Sequence, residues 1–218
     1  MAWQLLHSCH LGLAELYLHL GRETGMRTKG FTLMEMAIVL AIISTLAAVL
    51  TPVVLNYVDQ ARTARATADV KTIADAIRLY QRDTARFPIY ANATQAAADT
   101  PAATELVGPG NIPTPSGNWS TNFTTNTDLT LSLNQNLLGL ATSAQVGKVA
   151  YRGPYIGSLD SDPWGNRYVV TATNLKVAST NWAFVISAGP NGVLDTNPSQ
   201  SNSSAFVVSG DDLVAIIK

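Results

Sequence analysis

Residues Met36 to Leu55, MAIVLAIISTLAAVLTPVVL, run for about 20 positions without a charge, and this stretch restricts the available folds more than any other. A helix of that length crosses the roughly 30 Å hydrocarbon core of a bilayer. Arg22, Arg27 and Lys29 precede it, so the positive-inside tendency puts the N-terminal side in the cytoplasm. Pro52 has no backbone N–H and predicts a kink or local melting near the end of the run. No GxxxG pair marks a tight helix dimer. Glu35 stands at the leading edge. A carboxylate entering a bilayer costs roughly 2.5–3.5 kcal/mol on insertion scales, so something must compensate for it or use it.

The helical pattern outlasts the apolar run. Ala66, Val70, Ile73, Ile77 and Tyr80 follow a 4-3-4-3 spacing, one stripe of an amphipathic helix. Arg62, Arg65, Asp69, Lys71, Asp75, Arg78 and Arg82 occupy the remaining positions, and their mixed signs describe a solvated face rather than a nucleic-acid track. The pattern stops at Phe87-Pro88. Residues 31–86 therefore read as one helix of about 56 residues, roughly 84 Å at 1.5 Å per residue.

Residues 88–150 change in kind. They are rich in Ala, Thr, Asn and Ser and poor in charge, which predicts a long surface loop with one short helix near Leu133–Thr142. Asn92, Asn118, Asn122 and Asn202 stand in N-x-S/T sequons, but polar bias generates such triplets and no glycosylation is expected from them. Short β-branched or aromatic runs follow at Tyr168–Thr171, Trp182–Ser187, Ala205–Val208 and Leu213–Ile217, punctuated by Gly, Pro and Asn. Three or four antiparallel strands packed on the helical stripe give an α+β fold, with a small sheet on a helical spine.

The chemistry open to the chain is narrow. Charged residues make up 13% of the sequence and the net charge is −1, so no polyelectrolyte partner is implied. Cys9 is the one cysteine, and all three histidines, His7, His10 and His19, precede Met26. Thiol nucleophiles, imidazole bases and the usual zinc ligands are thus missing from the rest, which argues against most hydrolytic enzymes. The His7, Cys9, His10 cluster has no second paired element and is not read as a metal site. Met26 opens a short basic leader, MRTKG, and residues 1–25, an upstream extension or the front of a long leader, are set aside. The expected organisation is a leader over 1–30, a transmembrane helix over 31–55, an amphipathic helix over 56–87, a variable loop region over 88–150 and a C-terminal β-sheet head over 151–218.

A secretory signal has its small residues after the apolar core, whereas here Gly30 comes before it. The segment Gly30-Phe-Thr-Leu-Met-Glu35, set between a basic leader and the apolar run, resembles the prepilin signature of type IV pilins and type II secretion pseudopilins. The resemblance implies cleavage between Gly30 and Phe31 by a prepilin peptidase, N-methylation of Phe31, and a helix-distorting role for Pro52. Cleavage frees an α-amine on Phe31, with a reference pKa near 7.7–8.0. Pairing of Glu35 with that amine on a neighbouring subunit would be tolerable in an apolar bundle where either charge alone would not. Such a contact is heterologous and propagates as a helical filament.

Asp162-Pro-Trp-Gly-Asn166 has the chemistry of a tight turn and places Trp164 against the core. This block is similar to the DPWGN segment of the major pseudopilin and shifts the resemblance toward that subunit. Toward the C-terminus, "SAGPNGVLDT" and "SGDDLVAII" carry Asn191, Asp195, Asp211 and Asp212, oxygen donors suited to a hard cation. Resemblance to the major pseudopilins implies calcium there, replacing the disulfide of many pilins. Asp160 and Asp162 are assigned to turns. The expected function is a structural subunit of an inner-membrane-anchored, periplasmic pseudopilus, without an active site. Its implied partners are copies of itself, the prepilin peptidase, minor pseudopilins and an inner-membrane assembly platform. A type IV pilin or a minor pseudopilin is the alternative, and a membrane-anchored enzyme a more distant one.

Overall fold

The structure, a computed structural model, describes residues 30–90, 95, 97–119, 126–129 and 152–218. The basic leader before Gly30, the His7–Cys9–His10 cluster and the helix expected near Leu133–Thr142 lie outside the described residues. One helix, α1 (Leu33–Thr84, 52 residues), begins the described fold. The chain divides into two compact units, one ending at Pro52 and one beginning at Val53.

The first unit is the apolar part of α1, and its large side chains, from Leu33 to Leu50, are all exposed. Its hydroxyls are satisfied within the helix, as a bilayer requires of polar groups. Ser44 donates to the Leu40 carbonyl at 2.7 Å, Thr45 to Ile42 at 2.8 Å and Thr51 to Ala47 at 2.7 Å. The helix continues through Pro52, so the local melting expected there does not occur. Missing one N–H, Pro52 leaves a single carbonyl unpaired, which the flanking turns outweigh.

In the second unit, α1 buries Ala66, Val70, Ile73, Ala74, Ala76, Ile77 and Tyr80, which includes every residue of the stripe read from sequence. They pack on a five-stranded sheet of order β3-β1-β4-β5-β7. Its strands are β1 (Glu105–Val107), β3 (Asn126–Asp128), β4 (Val169–Val170), β5 (Phe184–Ser187) and β7 (Leu213–Ile216). All pairings are antiparallel except β1 with β3. A separate parallel pair joins β2 (Thr114–Pro115) to β6 (Val193–Leu194). The architecture is α+β, one long helix against a small, mainly antiparallel sheet. The strand β1 falls inside the stretch read as loop, and all three of its residues are buried.

The sheet is covered on both faces. One face meets α1 through Leu106, Tyr168, Val170, Val185 and Leu175. The other carries Val107, Val169, Phe184 and Ile186, which pack with Leu194 of β6 and with Trp119, Trp182 and Phe206. That second core explains why β5 is buried at every position. Its lid is the 196–209 segment. Ala205–Val208 was expected as a strand and is not one: Val207 gives its N–H to the Gln200 side chain at 2.8 Å and its carbonyl accepts from the same amide at 2.7 Å. One side-chain amide thus takes the place of a partner strand. Trp164 is half-buried and belongs to neither core, because Asp162 holds the turn closed by itself. Asp162 Oδ1 accepts from the N–H groups of Trp164 at 3.0 Å and Asn166 at 2.8 Å, and Oδ2 from Ser187 Oγ at 2.8 Å.

Among the polar contacts that tie α1 to the rest of this unit, three are short hydrogen bonds. Tyr168 donates to Asp69 at 2.8 Å, Tyr155 donates to Asp83 at 2.9 Å, and Arg78 donates to the Ile216 carbonyl at 2.6 Å. Arg78 also bridges to Asp75 at 2.9 Å, the mixed-sign spacing noted in the sequence.

Glu105 is the odd residue in this fold. It sits on the same sheet face as Val107, only 7% exposed, and among the described residues its one partner is the Thr104 hydroxyl. Burial raises its carboxyl above the usual glutamate range, partly offset by Thr104. A raised folded-state pKa means the contribution of this group to stability is full below the ordinary glutamate value and is lost as pH rises through the folded value. Glu105→Gln is therefore expected to be more stable than the unaltered chain at pH 7, by about 1 kcal/mol. That is about 2–4 °C in Tm for a domain of this size, and the gap should close below about pH 4. Thermal unfolding across pH checks both.

Candidate functional site

Two regions hold the residues singled out by sequence. At the N-terminal end, Gly30, Phe31 and Thr32 precede the helix, and Phe31 is 82% exposed. A Cβ placed on Gly30 would meet nothing within 4 Å, so nothing in this chain's own described packing calls for glycine there. Thr32 is the N-cap. Its hydroxyl accepts from the Glu35 N–H at 3.2 Å, while Glu35 Oε2 accepts from the Thr32 N–H and hydroxyl, both at 2.9 Å. The pair is a reciprocal capping box. Glu35 is thus engaged inside its own chain before any neighbour approaches. The T-x-x-E signature ahead of an apolar run was present in the sequence, and the capping role of Thr32 is missed by reading Glu35 only as an intermolecular partner. Pro52 marks the boundary of the two compact units.

At the other end, the turn after β5 and the turn before β7 are pressed together. Gly189 (φ +63°) and Gly210 (φ +64°) occupy the left-handed region, and each is faced by the opposite turn. A Cβ at Gly189 would lie well inside contact distance of the Asp211 carbonyl, and one at Gly210 inside that of the Asp195 carboxylate. These approaches bring Asn191, Asp195, Asp211 and Asp212 into one neighbourhood. Asp211 Oδ2 accepts from the Asn191 N–H at 3.0 Å. Asp212 Oδ2 accepts from the N–H groups of Asp195 at 2.9 Å and Thr196 at 2.6 Å. The Asn191 side chain is used within its loop, donating to Asp195 at 3.2 Å and accepting from the Val193 N–H at 2.6 Å.

Two atoms stand out: Asp211 Oδ1 and Asp212 Oδ1 are buried without a hydrogen-bond partner. Burial pushes the Asp212 carboxyl up, hydrogen bonds from Thr196 and Asp195 oppose this, and the Asp195 charge adds to it. Orphaned carboxylate oxygens suit a hard cation. Among the described residues, however, no three His, Cys, Asp or Glu side chains converge as a ready-made metal cluster. Most of any calcium shell would therefore come from backbone carbonyls and water. Asp160, assigned to a turn, is exposed and lies 4.0 Å from Arg65.

Comparison with known proteins bears on the N-terminal region first. Residues 25–51 match the prokaryotic N-terminal methylation motif, and residues 53–128 match the family described as type II secretion system protein G. The core protein G of Pseudomonas aeruginosa is 29% identical over 147 residues, 67% of this chain and 75% of that protein. The chain is similar to type II secretion pseudopilins. The core proteins G of Escherichia coli and Klebsiella pneumoniae are each 23% identical over 176 residues, 81% of this chain and 91% and 94% of theirs. No solved structure matches. The homology gives the exposed Phe31 and the capped Glu35 a context: they lie within the segment matched by the methylation motif.

Proposed function

We infer that this pseudopilin homologue is a structural subunit of a type II secretion pseudopilus, acting mechanically rather than as an enzyme. The observation that carries the reading is the segment Gly30 to Glu35 directly ahead of an exposed apolar helix, within the matched methylation motif. Cleavage after Gly30 leaves the apolar helix on the mature chain, with Phe31 as its methylated terminus. The apolar part of α1 anchors the subunit in the inner membrane with the head in the periplasm, and in the fibre it packs against neighbouring copies. Partners are other copies of the chain, a prepilin peptidase, minor pseudopilins and an assembly platform. Mass spectrometry of the mature protein is expected to find N-methyl-Phe31 as the first residue. An intact leader in cells with active peptidase overturns the reading.

The same reading extends to calcium at the acidic loops. Asp211 and Asp212 would hold it through their orphaned Oδ1 atoms, with Asp195 and backbone carbonyls nearby and Asn191 shaping the loop. Calcium would neutralise the charge of the Asp211 and Asp212 carboxylates. Saturating calcium, at about 100 times its Kd, should stabilise the head by about 2.7 kcal/mol, and chelation should reverse the rise in Tm. No response to either defeats this assignment.

A further inference from the structure

We propose that the cleft in front of Glu105 is a binding site for an alkylammonium group, supplied by a free diamine or by a lysine side chain. The cleft holds about 290 Å³ and lies beside the second core, lined in part by Trp119, Thr171 and Pro198. Glu105 reaches it because β1 alternates: Leu106 faces α1, while Glu105 and Val107 share the opposite face. The register that pairs Leu106 with Val170 and Val107 with Val169 sets Thr171 beside Glu105.

Among the described residues the lining has one charge, Glu105, and several of its donors are already spent. The Thr171 hydroxyl accepts from the Phe184 N–H at 3.0 Å and is turned toward its carbonyl at 3.4 Å. Asn174 gives both amide hydrogens away, to the Trp182 carbonyl at 2.8 Å and the Pro198 carbonyl at 2.6 Å, which leaves only its oxygen for a ligand. Trp119 is fixed by donating to the Thr196 carbonyl at 2.7 Å. Among the described residues, no Lys, Arg or His lines the cleft. The site therefore presents the Glu105 carboxylate and the Asn174 amide oxygen in a cleft also lined by Trp119, Pro198 and the polar side chains of Asn118, Asn181 and Ser199.

That is the complement of an ammonium head, with three donors and no acceptor, on an aliphatic stem. A bare metal ion would find a single carboxylate in a space far larger than itself, and an anion would be repelled. The raised pKa of Glu105 agrees with a carboxylate that lacks its counter-charge.

Binding of n-butylammonium to the full chain in detergent micelles tests the proposal. Saturable binding is expected, with n-butanol weaker by about tenfold or more, and with Glu105→Gln weakening the amine by a similar factor. Equal binding of amine and alcohol, or undiminished binding to Glu105→Gln, overturns it. The amine–alcohol comparison on the unaltered chain decides the matter even where the variant misfolds. Cadaverine and Nα-acetyl-lysine methylamide separate the sources. Tighter binding of the first assigns the site to free diamines and of the second to a polypeptide lysine, while binding of neither overturns the proposal.

Discussion

Glu35→Gln is expected to insert in the membrane normally and yet fail to form ordered fibres. The substitution keeps an oxygen for the Thr32 N–H and hydroxyl, which Glu35 Oε2 now accepts at 2.9 Å, so the helix start is preserved. What it removes is the charge. If the carboxylate pairs with the new α-amine of a neighbouring subunit, the variant leaves that amine buried and unmatched, at a cost of about 3–5 kcal/mol per contact. Each subunit addition then weakens by at least about 100-fold. Glu35→Val goes further and also deletes the capping box, worth about 1 kcal/mol, while easing insertion. Electron microscopy of fibres, set against subunit levels in the membrane fraction, reads both variants. Normal fibres from Glu35→Gln would reduce Glu35 to a helix cap and nothing more.

A second large effect is expected at Gly189→Ala. The residue sits at φ +63°, where a Cβ costs about 1–2 kcal/mol on backbone grounds alone. The methyl would also strike the Asp211 carbonyl, a backbone atom that cannot rotate away. Together these should cost about 3 kcal/mol or more and lower the Tm of the head by about 6–12 °C. Gly117→Ala is the control. Its φ of +59° carries the same backbone penalty, but nothing lies within 4 Å of the added carbon. Equal loss at the two positions would mean that the contact between the acidic turns contributes nothing to stability.

How much of this could be read in advance depended on the reach of each signal. The burial of Ala66, Val70, Ile73, Ile77 and Tyr80 was legible because a helix repeats its own pattern over many turns. The prepilin segment was legible because its residues are adjacent in sequence. The strand β1 was not, since three residues opening on a glutamate carry no alternation of their own. They become a strand between β3 and β4, the latter more than 60 positions later. Ala205–Val208 failed in the opposite sense: β-branched residues suggested a ladder, but the backbone partner is the Gln200 side chain. Nearness of Asn191, Asp195, Asp211 and Asp212 was foreseeable from composition. The two orphaned oxygens were not, because they follow from how tightly two glycine turns press together.

The tethers between α1 and the rest of its unit have a mechanical consequence. Asp69, Arg78 and Asp83 lie along a span of about 21 Å of helix, each joined to a different part of the chain, at Tyr168, Ile216 and Tyr155. A pull applied to this helix along its axis would load all three in shear at once, together with the packed stripe of Val70, Ile73 and Ile77. Attachments loaded in parallel share the force, whereas attachments peeled in sequence yield one by one. A head fastened in this way can be dragged by its spine without coming apart.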